Sequence, residues 1–272
     1  MGLKKIALIN DVTGYSKCSI AAMLPIVSAM GVEGIIIPTA ILSINTYWDN
    51  YYFDDYTNRM NEYIKTYKDL NLHFDGIATG FLGSTKQISI VIDFIKHFKK
   101  EDNFVLVDPV MGDHGKLYPT YNKDMREKMR SLIPYANIIT PNLTELCALL
   151  DTKYPTTTIS NDTLYDMCKQ LSKLGPEKIV VTGLDRGDYI ANFIYEKGKD
   201  YEVIETKRIG NDRSGTGDVV SAVIAGSMIN GSSFKQAVSK AASFTSKCIK
   251  YSEEVKQDNH LGLCFEPFLK EL

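Results

Sequence analysis

Charge of one sign is what this sequence lacks most plainly: 31 Lys and Arg stand against 33 Asp and Glu in 272 residues, a formal net charge of −2. With no long run of either sign there is no electrostatic footprint for nucleic acid or an anionic membrane surface, so any anionic ligand must be held by a local device. Five cysteines (Cys18, Cys147, Cys168, Cys248, Cys264) are scattered, with no C-x-x-C pair and no histidine at metal spacing. They read as buried small hydrophobes in a reducing, cytoplasmic compartment. The Asn142-Leu-Thr144 triplet then has no meaning as a glycosylation site. The four histidines (His73, His97, His114, His260) form no metal or triad pattern, and neither a G-x-S-x-G elbow nor a G-x-x-x-x-G-K-[ST] phosphate loop is present. The N-terminal segment has an apolar run of only four residues, Ile6–Ile9, before Asn10, too short for a signal core or a membrane span.

What is present is an ordinary globular composition, 44% hydrophobic and 24% charged, at a length that buries a sizeable core. Short apolar runs at residues 6–10, 34–38, 76–79, 104–107, 138–140 and 179–182 alternate with amphipathic helical patterns at 19–30, 55–70, 85–99, 123–132 and 161–174. Strands that are apolar throughout and alternate with helices predict an α/β fold, a mostly parallel sheet with helices on both faces. Tyr189–Tyr195 and Tyr201–Thr206 flank a polar turn and predict an antiparallel edge hairpin. Two helices follow, from 219 to about 229 and from 233 to about 251. No repeat or linker divides the chain, so one domain over residues 1–272 is expected, with a small flap near 39–54.

The strongest local signal is Gly215-Thr216-Gly217-Asp218 running into a small, apolar helix. Glycines before a helix let the backbone approach an anion, and the free N–H groups and helix dipole supply positive potential without net charge. Asp218 falls in the first turn, where a carboxylate either caps the helix or faces the ligand and accepts a proton from an attacking hydroxyl. A second signal is Asp108-Pro-Val-Met-Gly-Asp113, in which Asp108 ends a strand where doubly wound sheets keep their ligands; it either holds Mg²⁺ or simply forms a turn. A third is Thr140-Pro-Asn-Leu-Thr-Glu145, another strand end with a helix-borne Glu; Asn142 or Thr144 as a plain helix cap is the alternative. Asn10-Asp11-Val-Thr-Gly14, with Thr39, Ser43, Asn45 and Thr46, offers polar groups for a small ring, on which Phe81 either stacks or serves as core. The aromatic run around Trp48 reads as a lid, a subunit contact or simple packing.

These segments, in this order, resemble the ribokinase-like superfamily and, within it, the pyridoxal kinases and the related hydroxymethylpyrimidine phosphate kinases. The resemblance extends from Ile6 to about Tyr251 and is carried by Asp108-Pro-Val-Met-Gly-Asp113 with Gly115 and Tyr118, by Thr140–Glu145 and by Gly215–Asp218, with support from Phe81-Leu-Gly-Ser84 and Thr39–Ser43. It implies an ATP- and Mg²⁺-dependent kinase, a homodimer, with a B6 vitamer as its small-molecule substrate. Asp218 would take the proton of the 5′-hydroxymethyl group, and Gly215, Thr216 and Gly217 would form the anion hole. Asp108 and Glu145 would organise Mg²⁺ and the ATP phosphates with Asn142 nearby, Thr182 and Gly183 would approach the nucleotide, and Asp11, Thr46 and Phe81 would surround the pyridine ring. Family members often carry Ser in place of Asp11, Ser-Asn-His-Thr in place of Ser43–Thr46 and Tyr in place of Phe81. An acid near the ring would favour a protonated nitrogen, a hydroxyl donor or an amine. A pyrimidine kinase of thiamin synthesis, a non-catalytic vitamin- or nucleotide-binding relative and a sugar kinase are the alternatives.

Overall fold

The alternation of apolar strands with amphipathic helices is laid down as one large sheet in a computed structural model that describes residues 2–118 and 121–272. The first half runs β1 (Lys5–Thr13), α1 (Ser19–Ala29), β2 (Glu33–Leu42), β3 (Phe53–Asp55), α2 (Thr57–Asp69), β4 (Gly76–Thr79), α3 (Thr85–Phe98) and β5 (Phe104–Val107). The second half runs β6 (Gly112–Asp113), β7 (Lys116–Leu117), α4 (Lys123–Arg130), β8 (Ile138–Ile139), α5 (Leu143–Leu150) and α6 (Asn161–Ser172). It ends with β9 (Lys178–Arg186), β10 (Tyr189–Glu196), β11 (Glu202–Lys207), α7 (Thr216–Ile229) and α8 (Phe234–Glu254).

The nine-stranded sheet has the order β11-β10-β9-β8-β5-β4-β1-β2-β3. Pairings from β2 through β9 are parallel, while β2 with β3 at one edge and β9, β10 and β11 at the other pair antiparallel. The expected edge hairpin is therefore β10–β11, and the expected flap is the connection between β2 and β3 at the opposite edge. Both faces of the sheet are covered, as its continuous apolar strands require. In β1, Ala7 and Ile9 face a core closed by α2 to α6, whereas Ile6 and Leu8 face a second core closed by α1, α7 and α8. β8 ends one residue short of the apolar run, ahead of Pro141, although the Thr140 N–H still donates to the Val107 carbonyl of β5.

The parallel core directs the carboxyl ends of β1, β4, β5, β8 and β9 to one edge. A doubly wound sheet keeps its ligands there, since the loops and helix N-termini that follow each strand converge on the same crevice.

Candidate active site

Two joined cavities, of about 250 and 400 Å³, open at that edge. Asp108, Asn142, Glu145, Phe81, Gly215, Thr216, Gly217 and Asp218 line the smaller. Thr182 lines both, and Gly183 lines the larger with the ends of β9 to β11 and α8. Asp11 and Thr46 belong to neither lining. Asp11 is buried behind the site, where it accepts the Thr13 hydroxyl at 2.6 Å, and Thr46 is an exposed turn residue of the β2–β3 connection.

Asp218 sits in the first turn of α7 but does not cap it: the N-cap is Gly215 in the left-handed region, with no side-chain cap. Its carboxylate instead accepts the Ser19 N–H at the start of α1 (2.7 Å) and the Asn10 side-chain amide (2.9 Å). Asn10 is itself fixed, because its carbonyl oxygen accepts the N–H groups of Asp11 and Phe81. Asp218 lies half-buried on the cavity wall, and its removal from bulk water pushes the carboxyl up to about 6, with the nearby Asp11 adding to the rise. A carboxyl of that kind is ionised at neutral pH and still basic enough to take a proton.

Gly215 shows why the sequence places glycine before the helix. Its φ is +75°, and a Cβ there would collide with the Lys17 carbonyl oxygen. At Gly217 a Cβ would meet nothing nearer than Asp108 Oδ2, at 3.7 Å, so the space above that residue is open to a ligand. The loop and the helix N-terminus thus form a cradle with unobstructed N–H groups.

Asp108 follows β5 and accepts the Ser221 hydroxyl at 2.9 Å, with Thr140 adding to that network. Burial, together with the charge of Asp218, raises its carboxyl well above the usual range. Glu145 is buried in the first turn of α5, one Oε accepting the Asn142 N–H (2.9 Å) and the other the Met111 N–H (3.0 Å). Asn142 caps the same helix and donates to the Gly112 carbonyl, so the capping alternative holds for it, while it also lines both cavities. Two accepted N–H bonds suit an ionised Glu145, against a burial that raises its carboxyl. The pair Asn142 and Glu145 therefore anchors the β6–β7 hairpin over the crevice. His114 Nε2, on that hairpin, lies 3.0 Å from the carboxylate of Asp212, in the loop before the cradle.

Three acidic groups facing one crevice are a donor set for a hard cation. Among the described residues no three His, Cys, Asp or Glu side chains close around a point, so a cation there would also need water and ligand oxygens. Mg²⁺ binds in that way, through one or two carboxylates plus phosphates, and the residues present fit it. Asn10, which the sequence offers only as one of several polar groups for a small ring, lines the smaller cavity, whereas Ser19, Ser221 and Arg213 are not singled out in the sequence as site residues. Each is an ordinary polar residue on its own element, and only the fold brings it to the crevice.

Residues 19–262 match the family model described as phosphomethylpyrimidine kinase. A protein from Bacteroides thetaiotaomicron, provisionally assigned as a phosphomethylpyrimidine kinase, is 36% identical and superposes with a TM-score of 0.97 over 100% of this chain and 94% of its own. A second crystal form of that protein contains pyridoxal. The pyridoxine kinase of Bacillus subtilis is 27% identical, with 94% of each chain covered. The chloroplastic thiamine biosynthetic bifunctional enzyme of Arabidopsis thaliana is 30% identical over 68% of this chain, which spans 35% of that enzyme's length. With its ribokinase-like fold and a match over nearly its whole length, the chain belongs to the phosphomethylpyrimidine kinase family.

Proposed function

We propose that this kinase transfers the γ-phosphoryl group of ATP to the 5′-hydroxymethyl group of a B6 vitamer: pyridoxal, pyridoxine or pyridoxamine. The observation that carries the choice of acceptor is the pyridoxal in the crystal of the Bacteroides protein, which is 36% identical over 99% of this chain. The smaller cavity would take the vitamer, with Phe81 as a wall for its ring, and the larger would take the nucleotide, with Thr182 and Gly183 beside it. Phosphoryl transfer is mostly positioning and electrostatics. Asp218, oriented by Asn10 and Ser19, would accept the hydroxyl proton, and the N–H groups of the Gly215–Gly217 cradle would stabilise the charge on the transferred group. Asp108 would hold Mg²⁺ together with phosphate oxygens and water, Glu145 would support it from behind, and the ion would supply charge neutralisation.

A homodimer and a cytoplasmic location complete the reading. The exposed Tyr47, Tyr52 and Phe53 on the β2–β3 edge give a second copy an apolar surface, and the five cysteines are free and buried. Among the described residues no helix is long and apolar enough to cross a membrane.

ADP release from purified protein with ATP and Mg²⁺, run in parallel with the three vitamers, hydroxymethylpyrimidine and ribose, tests the proposal. Selective turnover of vitamers supports it. Turnover of the pyrimidine alone would move the protein to thiamin synthesis, a second reading favoured by the match to the Arabidopsis enzyme. Silence with every acceptor would point to a binding protein.

A further inference from the structure

The loop leading into the cradle carries a residue with no part in the scheme above. The Arg213 side chain is 1% exposed, yet the residue contributes to the walls of both cavities and, among the described residues, is the only Lys or Arg lining the smaller. Nη1 donates to the Gln257 carbonyl (3.0 Å), just beyond α8, and Nη2 to the Glu253 carboxylate (2.8 Å) in its last turn. The buried Nε has no partner among the described residues. The Arg213 carbonyl in turn accepts the Thr216 hydroxyl at 2.8 Å, inside the cradle itself.

A buried guanidinium is costly to desolvate and gains stability only when its fork is well satisfied. Here the fork is incompletely satisfied, and an apolar side chain could fill the same space. What an apolar residue could not do is tie an irregular loop to a helix end through two directed bonds. The loop needs such a tie: neither strand nor helix fixes residues 208–215, and the cradle's donors are useful only if they need no reorganisation during the reaction.

We propose that Arg213 is a positioning residue for phosphoryl transfer. Its fork clamps the loop to the C-terminal turn of α8 and the residues just after it, so that the N–H groups of Gly215–Gly217 stand where the terminal phosphate of the nucleotide gathers charge, and its charge adds positive potential to a cavity whose other charged lining groups are carboxylates. This inference rests on the phosphoryl-transfer reading, but not on the identity of the acceptor.

The test compares Arg213→Met, Arg213→Lys and Glu253→Ala with the unaltered full-length protein. The readouts are kcat and KM with the acceptor, dissociation constants for ATP and ADP by calorimetry without acceptor, and thermal stability. Arg213→Met is expected to lower kcat by about 30-fold or more, since misplaced cradle donors lose part of a stabilisation typically worth 10² to 10³. Its KM for the acceptor should stay within about threefold, and most of the preference for ATP over ADP should vanish. Arg213→Lys, which keeps the charge and loses the fork, should recover only part of kcat. A purely structural role would lower the melting temperature and leave kcat and the ATP-to-ADP ratio intact; that result overturns the proposal. If Arg213→Met does not fold, Glu253→Ala carries the test, because it removes one anchor at the surface and keeps the guanidinium; an unchanged kcat and ratio there also overturn it. Should the unaltered protein bind ATP but phosphorylate no vitamer, the B6 reading fails, and the ATP-to-ADP ratio still decides the role of Arg213.

Discussion

Replacing Asp218 with asparagine should remove activity and, in the ligand-free protein at neutral pH, add stability, both for the same reason. Burial and the neighbouring Asp11 push the carboxyl from 3.8 to about 6, even with Ser19 and Asn10 donating to it. A carboxyl whose folded pKa is raised supports the native state below its unfolded value, and that support is lost as pH rises through about 6. Two pH units at about 1.4 kcal/mol each give roughly 3 kcal/mol against the ionised native state. Cavity water reaching the half-buried group reduces this to about 2 kcal/mol. Asparagine avoids that term but turns an amide toward one of its two donors, losing a hydrogen bond worth about 1 kcal/mol. The stability of Asp218→Asn relative to the unaltered protein should therefore rise by about 2 kcal/mol between pH 4 and pH 8, ending about 1 kcal/mol above it. Urea denaturation of both proteins at pH 4, 6 and 8, with EDTA present, measures this, and turnover at pH 8 should be down by about a hundredfold or more. A stability difference that is flat with pH, or that grows toward acid, refutes the electrostatic argument; near-normal turnover removes Asp218 from the role of base.

The same carboxyl predicts a pH profile in which kcat/KM for the acceptor climbs from acid, with its midpoint at or below about 6, and then levels; activity that declines between pH 5 and 7 would contradict it. Gly215→Ala forces a side chain onto a φ of +75° and into the Lys17 carbonyl, so stability should fall by more than about 2 kcal/mol, with turnover falling too; a variant with unchanged urea midpoint and kcat would show that the loop tolerates the strain. Glu145→Gln leaves either the Met111 or the Asn142 N–H facing an amide donor, which should cost about 1–3 kcal/mol and raise KM for ATP more than it lowers kcat, while an unaltered KM would separate the hairpin from nucleotide binding.

Much of the fold is legible in the sequence because parallel strands buried on both faces must be apolar throughout. The runs at 76–79 and 104–107 coincide with β4 and β5, and the helices at 19–30, 85–99 and 161–174 end within two residues of α1, α3 and α6. The elements that escape are those made by partners rather than by their own residues. β3 carries two aspartates and exists because it pairs with β2, and the two-residue strands β6 and β7 are held over the crevice by Asn142 and Glu145. The site divides in the same way. Asp108, Glu145 and Asp218 are legible as acids at or just beyond strand ends or in first turns, positions that topology gathers at one edge. Ser19, Ser221 and Arg213 carry no local signature, since their importance lies in hydrogen bonds across roughly 40 to 200 residues of chain; Asn10 is legible as part of the polar stretch that ends β1, but its bond to Asp218, 208 residues on, is not. Asp11 and Thr46 are polar residues near the right strand ends, but β1 bulges between Asn10 and Val12, and Asp11 is buried beside Thr13 instead of on the cavity wall.

Asn10 touches both the proposed base and the proposed ring wall. Its carbonyl oxygen holds the backbone of Phe81, at the wall proposed for the acceptor ring, and its amide aims Asp218. On the proposed reading, an acceptor that shifts the Phe81 backbone would pull on the same amide that helps the Ser19 N–H to aim the carboxylate. If that coupling holds, selection among acceptors would need no separate gate, because a poorly fitting ring would disturb the proposed base through position 10.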